Sequence, residues 1–180
     1  MADLTDLVAG KQTIYIPASG LLPATTSGPA SAQVESATND VNYSVLDFDG
    51  AAAEYAHFNV AMPKSWDEGT VTFKVFWESS ATDTDGVAWG LEGRALSDGD
   101  TIDSAFGTAV YIVDNAQSAA TKRYASAESA AVTIAGTPAD GDICHFRVSR
   151  DPANGADTMS EDARLVGIQI FFATDALNDD

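Results

Sequence analysis

Apolar and polar residues alternate along most of the chain. In TVTFKVFWE, Val71, Phe73, Val75 and Trp77 fall on one side, and Thr72 and Lys74 on the other. That period of two belongs to a strand with one face buried. VAWGLEGRALS repeats the pattern with Val87, Trp89 and Leu91. DICHFRVSRD sets Cys144, Phe146 and Val148 against His145, Arg147 and Ser149, and RLVGIQIFFA aligns Val166, Ile168, Ile170 and Phe172. Further strands are predicted at 13–16 and in YSVLDFDG, EYAHFNVAM, AVYIVD and AVTIAG. Turn residues separate these runs at short intervals, and no segment carries a sustained helical period. Only the Ala-rich pieces near Ala51 and Ala119 suit a single helical turn. The pattern predicts an all-β fold, an antiparallel β-sandwich of jelly-roll type with roughly eight to ten strands. Trp66, Trp77 and Trp89 are its expected anchors, in the core or at the rim.

The chain of 180 residues suits one domain. Residues 35–176 are expected to form it. Residues 1–34 read as an acidic leader followed by an arm rich in Pro, Gly and Ser, with Pro17, Pro23 and Pro29 opposing a helix, and 177–180 as an acidic tail. The arm is a candidate for docking by strand addition, or for wrapping its own domain. No apolar run is long enough to span a bilayer, and the opening MADLTDLVAG is acidic where a signal peptide is basic. The expectation is synthesis and use in a cytoplasm, or exit by a route other than a cleaved signal.

Charge narrows the partners. Acids number 27 against 9 Lys and Arg, a net of −18. Such a surface repels phosphate, which disfavours nucleic acid and anionic membranes alike. Solubility is the ordinary reason for it; a basic partner or divalent cations are the other.

Candidate chemistry is sparse. ATDTDGVAWGLE resembles a calcium loop, with Asp83 and Asp85 at the third and fifth positions, Gly86 at the glycine and Glu92 at the twelfth, but Ala81 stands where an Asp is expected. Strands flank it, so the reading preferred is a hairpin turn with Gly86 at positive φ, and Ca²⁺ is the lesser alternative. Asp98, Asp100 and Asp103, and then Asp151, Asp157, Glu161 and Asp162, cluster in two acidic loops that read first as solvated. Cys144 and His145 are strand neighbours facing opposite ways and cannot form a dyad, although His57 could approach from another strand. The single cysteine excludes an intrachain disulfide, and two histidines cannot by themselves complete a zinc site. No catalytic residue, cofactor site or metal site is assigned, and the chain is not expected to be an enzyme.

PKSWDEGTVTFKVFWESS, DTDGVAWGLEGRALSDGDTID and SAESAAVTIAGTPADGDICHFRVSRDPANGADTMSEDARLVGIQIFF together resemble small virion structural proteins of tailed bacteriophages. The resemblance covers roughly residues 12–175 and brings no functional residue with it. It implies a non-enzymatic virion protein: a capsid decoration (cement) protein bound to the major capsid protein on the outer surface of the head, made in the host cytoplasm and often a homotrimer. The alternative is a tail or head-fibre module, or a receptor-binding, carbohydrate-binding module, for which Trp66, Tyr55 and Tyr111 are the first aromatics to consider.

Overall fold

The structure is a computed structural model and describes residues 10–119 and 122–176. Residues 1–9 of the expected leader and the tail 177–180 lie outside the described residues. In chain order the strands are β1 (Gly10–Pro17), β2 (Leu22–Pro23), β3 (Ala30–Glu35), β4 (Asn42–Phe48), β5 (Glu54–Ala61), β6 (Trp66–Ser79), β7 (Gly86–Leu96), β8 (Val110–Asn115), β9 (Tyr124–Ala125), β10 (Ile134–Ala135), β11 (Ile143–Arg150) and β12 (Ala163–Thr174). The fold is an all-β sandwich. Nine strands are of useful length, within the expected range, and β2, β9 and β10 add short two-residue pairings.

Two sheets face each other. The first runs β3-β4-β12-β6-β9, with β1 also on β12; the second runs β10-β7-β11-β5-β2, with β8 also on β7. Pairing is antiparallel apart from β10 on β7. The alternation read from the sequence sets which side faces inward. Val71, Phe73, Val75 and Trp77 meet Val87, Trp89, Leu91, Cys144, Phe146 and Val148 across the core, every one of them fully buried. Phe48 stands edge-on to Trp89 at 5.3 Å between ring centroids, and Trp77 packs on Tyr124 at 4.9 Å while its indole N–H donates to Asp114 at 2.7 Å. Contacts of this geometry add to what simple burial contributes.

Residues 10–34, expected as an arm, are laid into both sheets. β1 pairs with β12 from Gly10 opposite Thr174 to Pro17 opposite Gly167, and β2 and β3 pair with β5 and β4. Ala18 and Leu21 belong to the buried core, and Ile14 and Ile16 pack against it. Here the chain wraps its own domain. The helical turn expected near Ala51 is a bend, and a 3-10 turn occurs instead at Ala18–Gly20.

Two local expectations are corrected. Trp66, considered both as an anchor and as a glycan-facing aromatic, opens β6 and is 3% exposed, which makes it a core residue and takes it out of any glycan-facing role. A register shift follows it, with Glu68 at φ 56°, and this bulge lets Trp66 stay opposite Thr174. The segment before Gly86 is not a hairpin, because β6 and β7 belong to different sheets and 80–85 crosses between them. Gly86 is not needed for a positive φ. A Cβ there would lie 2.6 Å from the carbonyl oxygen of Ala156, so the glycine admits the 151–162 segment against β7.

That segment is fixed by Arg150, which is fully buried. Its Nε and one terminal nitrogen donate to the two oxygens of Asp157 at 3.1 and 2.9 Å. The remaining protons go to the carbonyls of Phe48 at 3.1 Å, Glu161 at 2.7 Å, and Met159. All five guanidinium protons thus have acceptors. Asp157 also accepts the amide of Ala88 at 2.9 Å. Removing one partner of such a pair strands the other charge in the interior. Arg150→Met is therefore expected to cost about 3–5 kcal/mol of stability, read from urea unfolding, and Arg150→Met with Asp157→Leu should recover part of the loss.

Candidate functional site

The outer face of the second sheet gathers most of the chain's unexplained side chains. Alternation in β5 sends Ala56 and Phe58 into the core and leaves Tyr55, His57 and Asn59 outside. In β11 the same rule turns His145, Arg147 and Ser149 to the side away from Cys144, as the sequence indicates, with His145 and Arg147 half-buried and Ser149 buried. Register then sorts them into rows. Tyr55, Ser149, Gly90 and Tyr111 lie abreast on β5, β11, β7 and β8. The next row is Leu22, His57, Arg147 and Glu92, and the third is Asn59, His145 and Arg94. Three strand spacings separate the two tyrosines, roughly 14 Å.

Each element of the face is held. A Cβ on Gly90 would come within 2.6 Å of both the Tyr111 ring and the Ser149 hydroxyl, so the bare backbone lets Tyr111 lie over the strand. Tyr111 is 40% exposed. Partial burial raises its phenol pKa, and Asp151, Tyr55 and Glu92 add to the rise while a hydrogen bond with Ser149 opposes it. Arg147 pairs with Glu92 and stacks on two rings, 4.6 Å from the Tyr55 centroid and 5.1 Å from that of Phe106. Phe106 comes from the 97–109 loop, which is tied to β7 by the Gly107 amide on the Gly93 carbonyl at 3.0 Å and by Arg94 on the Ala105 carbonyl at 2.9 Å. Such cation–π contacts fix a guanidinium without neutralising it.

Beside this platform lies a hollow of about 350 Å³ lined by Ile16, Gly20, Leu22, His57, Phe58, Asn59 and His145. The His57 pKa is lowered first by burial, then by Arg147 and by His145. A second hollow, about 410 Å³, lies on the opposite sheet among Lys11, Thr72, Glu128 and Phe171. Its cation is already committed, since Lys11 pairs with Glu128 and rests 4.7 Å over Phe171.

Of the three aromatics singled out in the sequence, Tyr55 and Tyr111 share one row, and Trp66 is core. Cys144 faces the interior, where burial and Asp142 push its thiol up to about 12, so neither His57 nor His145 on the outer face meets it. The calcium-like loop is dispersed. Glu92 is held by Arg147, the Asp83 carboxylate accepts the Asp85 amide at 3.2 Å, and Ser118 donates its amide to the Asp83 carbonyl at 2.7 Å. In the acidic loops, Asp100 caps Ser97 at 3.0 Å, Asp151 caps Ala153 at 3.1 Å and Asp157 holds Arg150. Asp98, Asp103 and Asp162 are exposed.

No family model matches the chain, and no curated protein matches it in sequence. Solved structures share the fold. The arabinose-bound α-L-arabinofuranosidase MgGH51 aligns over 86% of this chain with a TM-score of 0.52 and 14% identity. A Paenibacillus sp. cycloisomaltooligosaccharide glucanotransferase complexed with cycloisomaltoheptaose aligns over 86% with a TM-score of 0.50 and 11% identity. The CBM22-1–GH10 modules of Clostridium thermocellum xylanase 10B complexed with xylohexaose align over 90% with a TM-score of 0.50 and 13% identity. This chain spans 23%, 18% and 28% of those three, so the likeness concerns one part of each larger protein. At such identities the likeness is one of fold, a β-sandwich.

The depressed His57 pKa has a consequence for stability. The unfolded chain takes up this proton near the ordinary value of about 6.5, and the folded chain only at lower pH. Full stability from this group is present above the unfolded value and is lost as pH falls through the folded one. Between about pH 7.5 and 5.5, across the histidine range, His57→Gln should lose less thermal stability than the parent, measured by scanning both proteins side by side.

Proposed function

We propose that this chain is a non-catalytic glycan-binding module that receives a sugar chain across the outer face of the second sheet. One observation carries the reading: Tyr55 and Tyr111 lie in a single register row, with Ser149 and bare Gly90 between them and Arg147 clamped alongside. Sugar rings present apolar C–H faces that stack on aromatic rings, and hydroxyls at their edges that bond to fixed polar groups. Ligand sites commonly combine these two features. Support at the level of the fold comes from the solved structures that share it, whose bound molecules are arabinose, cycloisomaltoheptaose and xylohexaose. On a phage particle, such a module would serve as the receptor-binding or fibre component that the sequence reading carries as its alternative.

Glycan array screening followed by calorimetric titration tests this. Saturable binding is expected, weakened about tenfold or more (about 1.4 kcal/mol per tenfold) by Tyr111→Ala and by Tyr55→Ala, with thermal unfolding nearly unchanged for exposed Tyr111. An array without signal, or binding indifferent to both substitutions, would refute the assignment of this face.

A second reading is capsid decoration as a homotrimer. What favours it is the outer face of the first sheet. Residues 11–34 contain a single charged side chain, Lys11, and place Thr13 and Tyr15 beside Phe171 and Gln169. Tyr15 is 49% exposed and meets Phe76 edge-on at 5.8 Å. Copies can meet on such a patch without opposing their carboxylates. Light scattering in moderate salt should then show a trimer that Tyr15→Glu dissociates, and particle mass spectrometry should find a copy number matching capsid symmetry. A persistent monomer excludes the trimer.

A further inference from the structure

We infer that the ligand of this face is an acidic glycan, whose carboxylates seat on the six-residue array formed by His57, Asn59, His145, Arg147, Arg94 and Glu92. The inference rests on the glycan-binding reading and specifies its substrate class.

The array is an anomaly of charge. Acids outnumber Lys and Arg three to one in this chain. On the central strands β5, β11 and β7, however, the register brings together two arginines and both histidines of the protein, with Glu92 as the array's single acid. Random placement on so acidic a surface would surround each cation with carboxylates. Here they surround one another. Like charges placed side by side cost the free protein stability, a cost that binding sites often carry and structural surfaces seldom do.

The cations are also prepared for a ligand. Arg147 keeps a third of its side chain exposed although its orientation is set by Glu92, Tyr55 and Phe106. Arg94 spends one terminal nitrogen on the Ala105 carbonyl, and its Nε has no protein acceptor. His57 and His145 line the hollow next to Arg147, with the Asn59 amide beside them. The groups facing His57 are Arg147 and His145 from β11, Leu22 from β2 and Phe106 from the loop, with Glu92 beyond Arg147. No carboxylate of the protein offsets the histidine pair among these neighbours. A uronate carboxylate would do so, while its ring stacks on Tyr55 or Tyr111. A neutral sugar would leave the repulsion in place. Elsewhere the surface repels a polyanion, which directs an acidic chain to this face.

The test titrates the intact chain with oligogalacturonate and alginate oligomers, and with the same oligomers after reduction of their carboxyls to alcohols. The acidic forms should bind about tenfold tighter than the reduced ones, and this advantage should vanish near 1 M salt, where screening acts within about 3 Å. Affinity for the acidic forms should rise as pH falls from about 7.5 to 5.5, and the rise should disappear in His57→Gln/His145→Gln. Arg94→Gln, at the array's edge, should weaken binding of the acidic oligomers. Equal binding of acidic and reduced oligomers overturns the inference and leaves glycan binding standing. Acidic binding that none of these substitutions affects also overturns it. Binding of no oligomer here, together with a silent array of neutral glycans, overturns both readings.

Discussion

The sandwich depends on the way Arg150 is satisfied. A fully buried guanidinium is tolerable only when every proton finds an acceptor and the charge finds a counterion. Asp157 supplies the charge, and the carbonyls of Phe48, Met159 and Glu161 take the rest. Phe48 ends a strand of the first sheet, Arg150 ends one of the second, and the other acceptors lie on the segment between β11 and β12. One side chain therefore sets how the two sheets meet at this end and how that segment lies along β7. The polar end of the core is specific where the apolar remainder is only well filled.

From that constraint the outer face follows. With 151–162 laid along Gly86 and Ala88, the start of β7 is covered, and Gly90, Glu92 and Arg94 continue the same face of the strand. β8 then brings Tyr111 over Gly90, and the 97–109 loop brings Phe106 over Arg147. The face is thus built on central strands and trimmed by two loops. Rigid strands place the ring and guanidinium groups more precisely than loops alone could.

Much of this was legible in the alternation. Every strand written as period two is a strand, and its apolar side is the core, except that in β12 a register shift between Leu165 and Gly167 puts Leu165 in the core cluster in place of Val166. The polar side of β11 was likewise readable as His145, Arg147 and Ser149. What could not be read was which strands adjoin. Tyr55 and Tyr111 are far apart in sequence and become neighbours in a row only through β11 and β7. Trp66 could be considered for glycan binding because its Pro-Lys-Ser approach and Asp-Glu-Gly exit look like a loop, whereas a bulge turns the indole inward and leaves it only the anchor's place. Gly86 was assigned a turn role when its function is to let another segment's carbonyl approach. Bulges and close approaches are tertiary facts, and local composition does not encode them.

The pairing of β1 with β12 joins the first and last strands of the described fold along the whole length of β1, with the Gly10 amide donating to the Thr174 hydroxyl at 3.2 Å. Topologically, the sandwich is a nearly closed circuit whose entry and exit share one corner. Such a body can be spliced into the surface loop of a host protein without stretching either partner. Its two sheet faces would stay clear of the junction. A polypeptide organised this way is portable, able to ride as an insert on a larger scaffold or be cut and rejoined elsewhere in its own sequence.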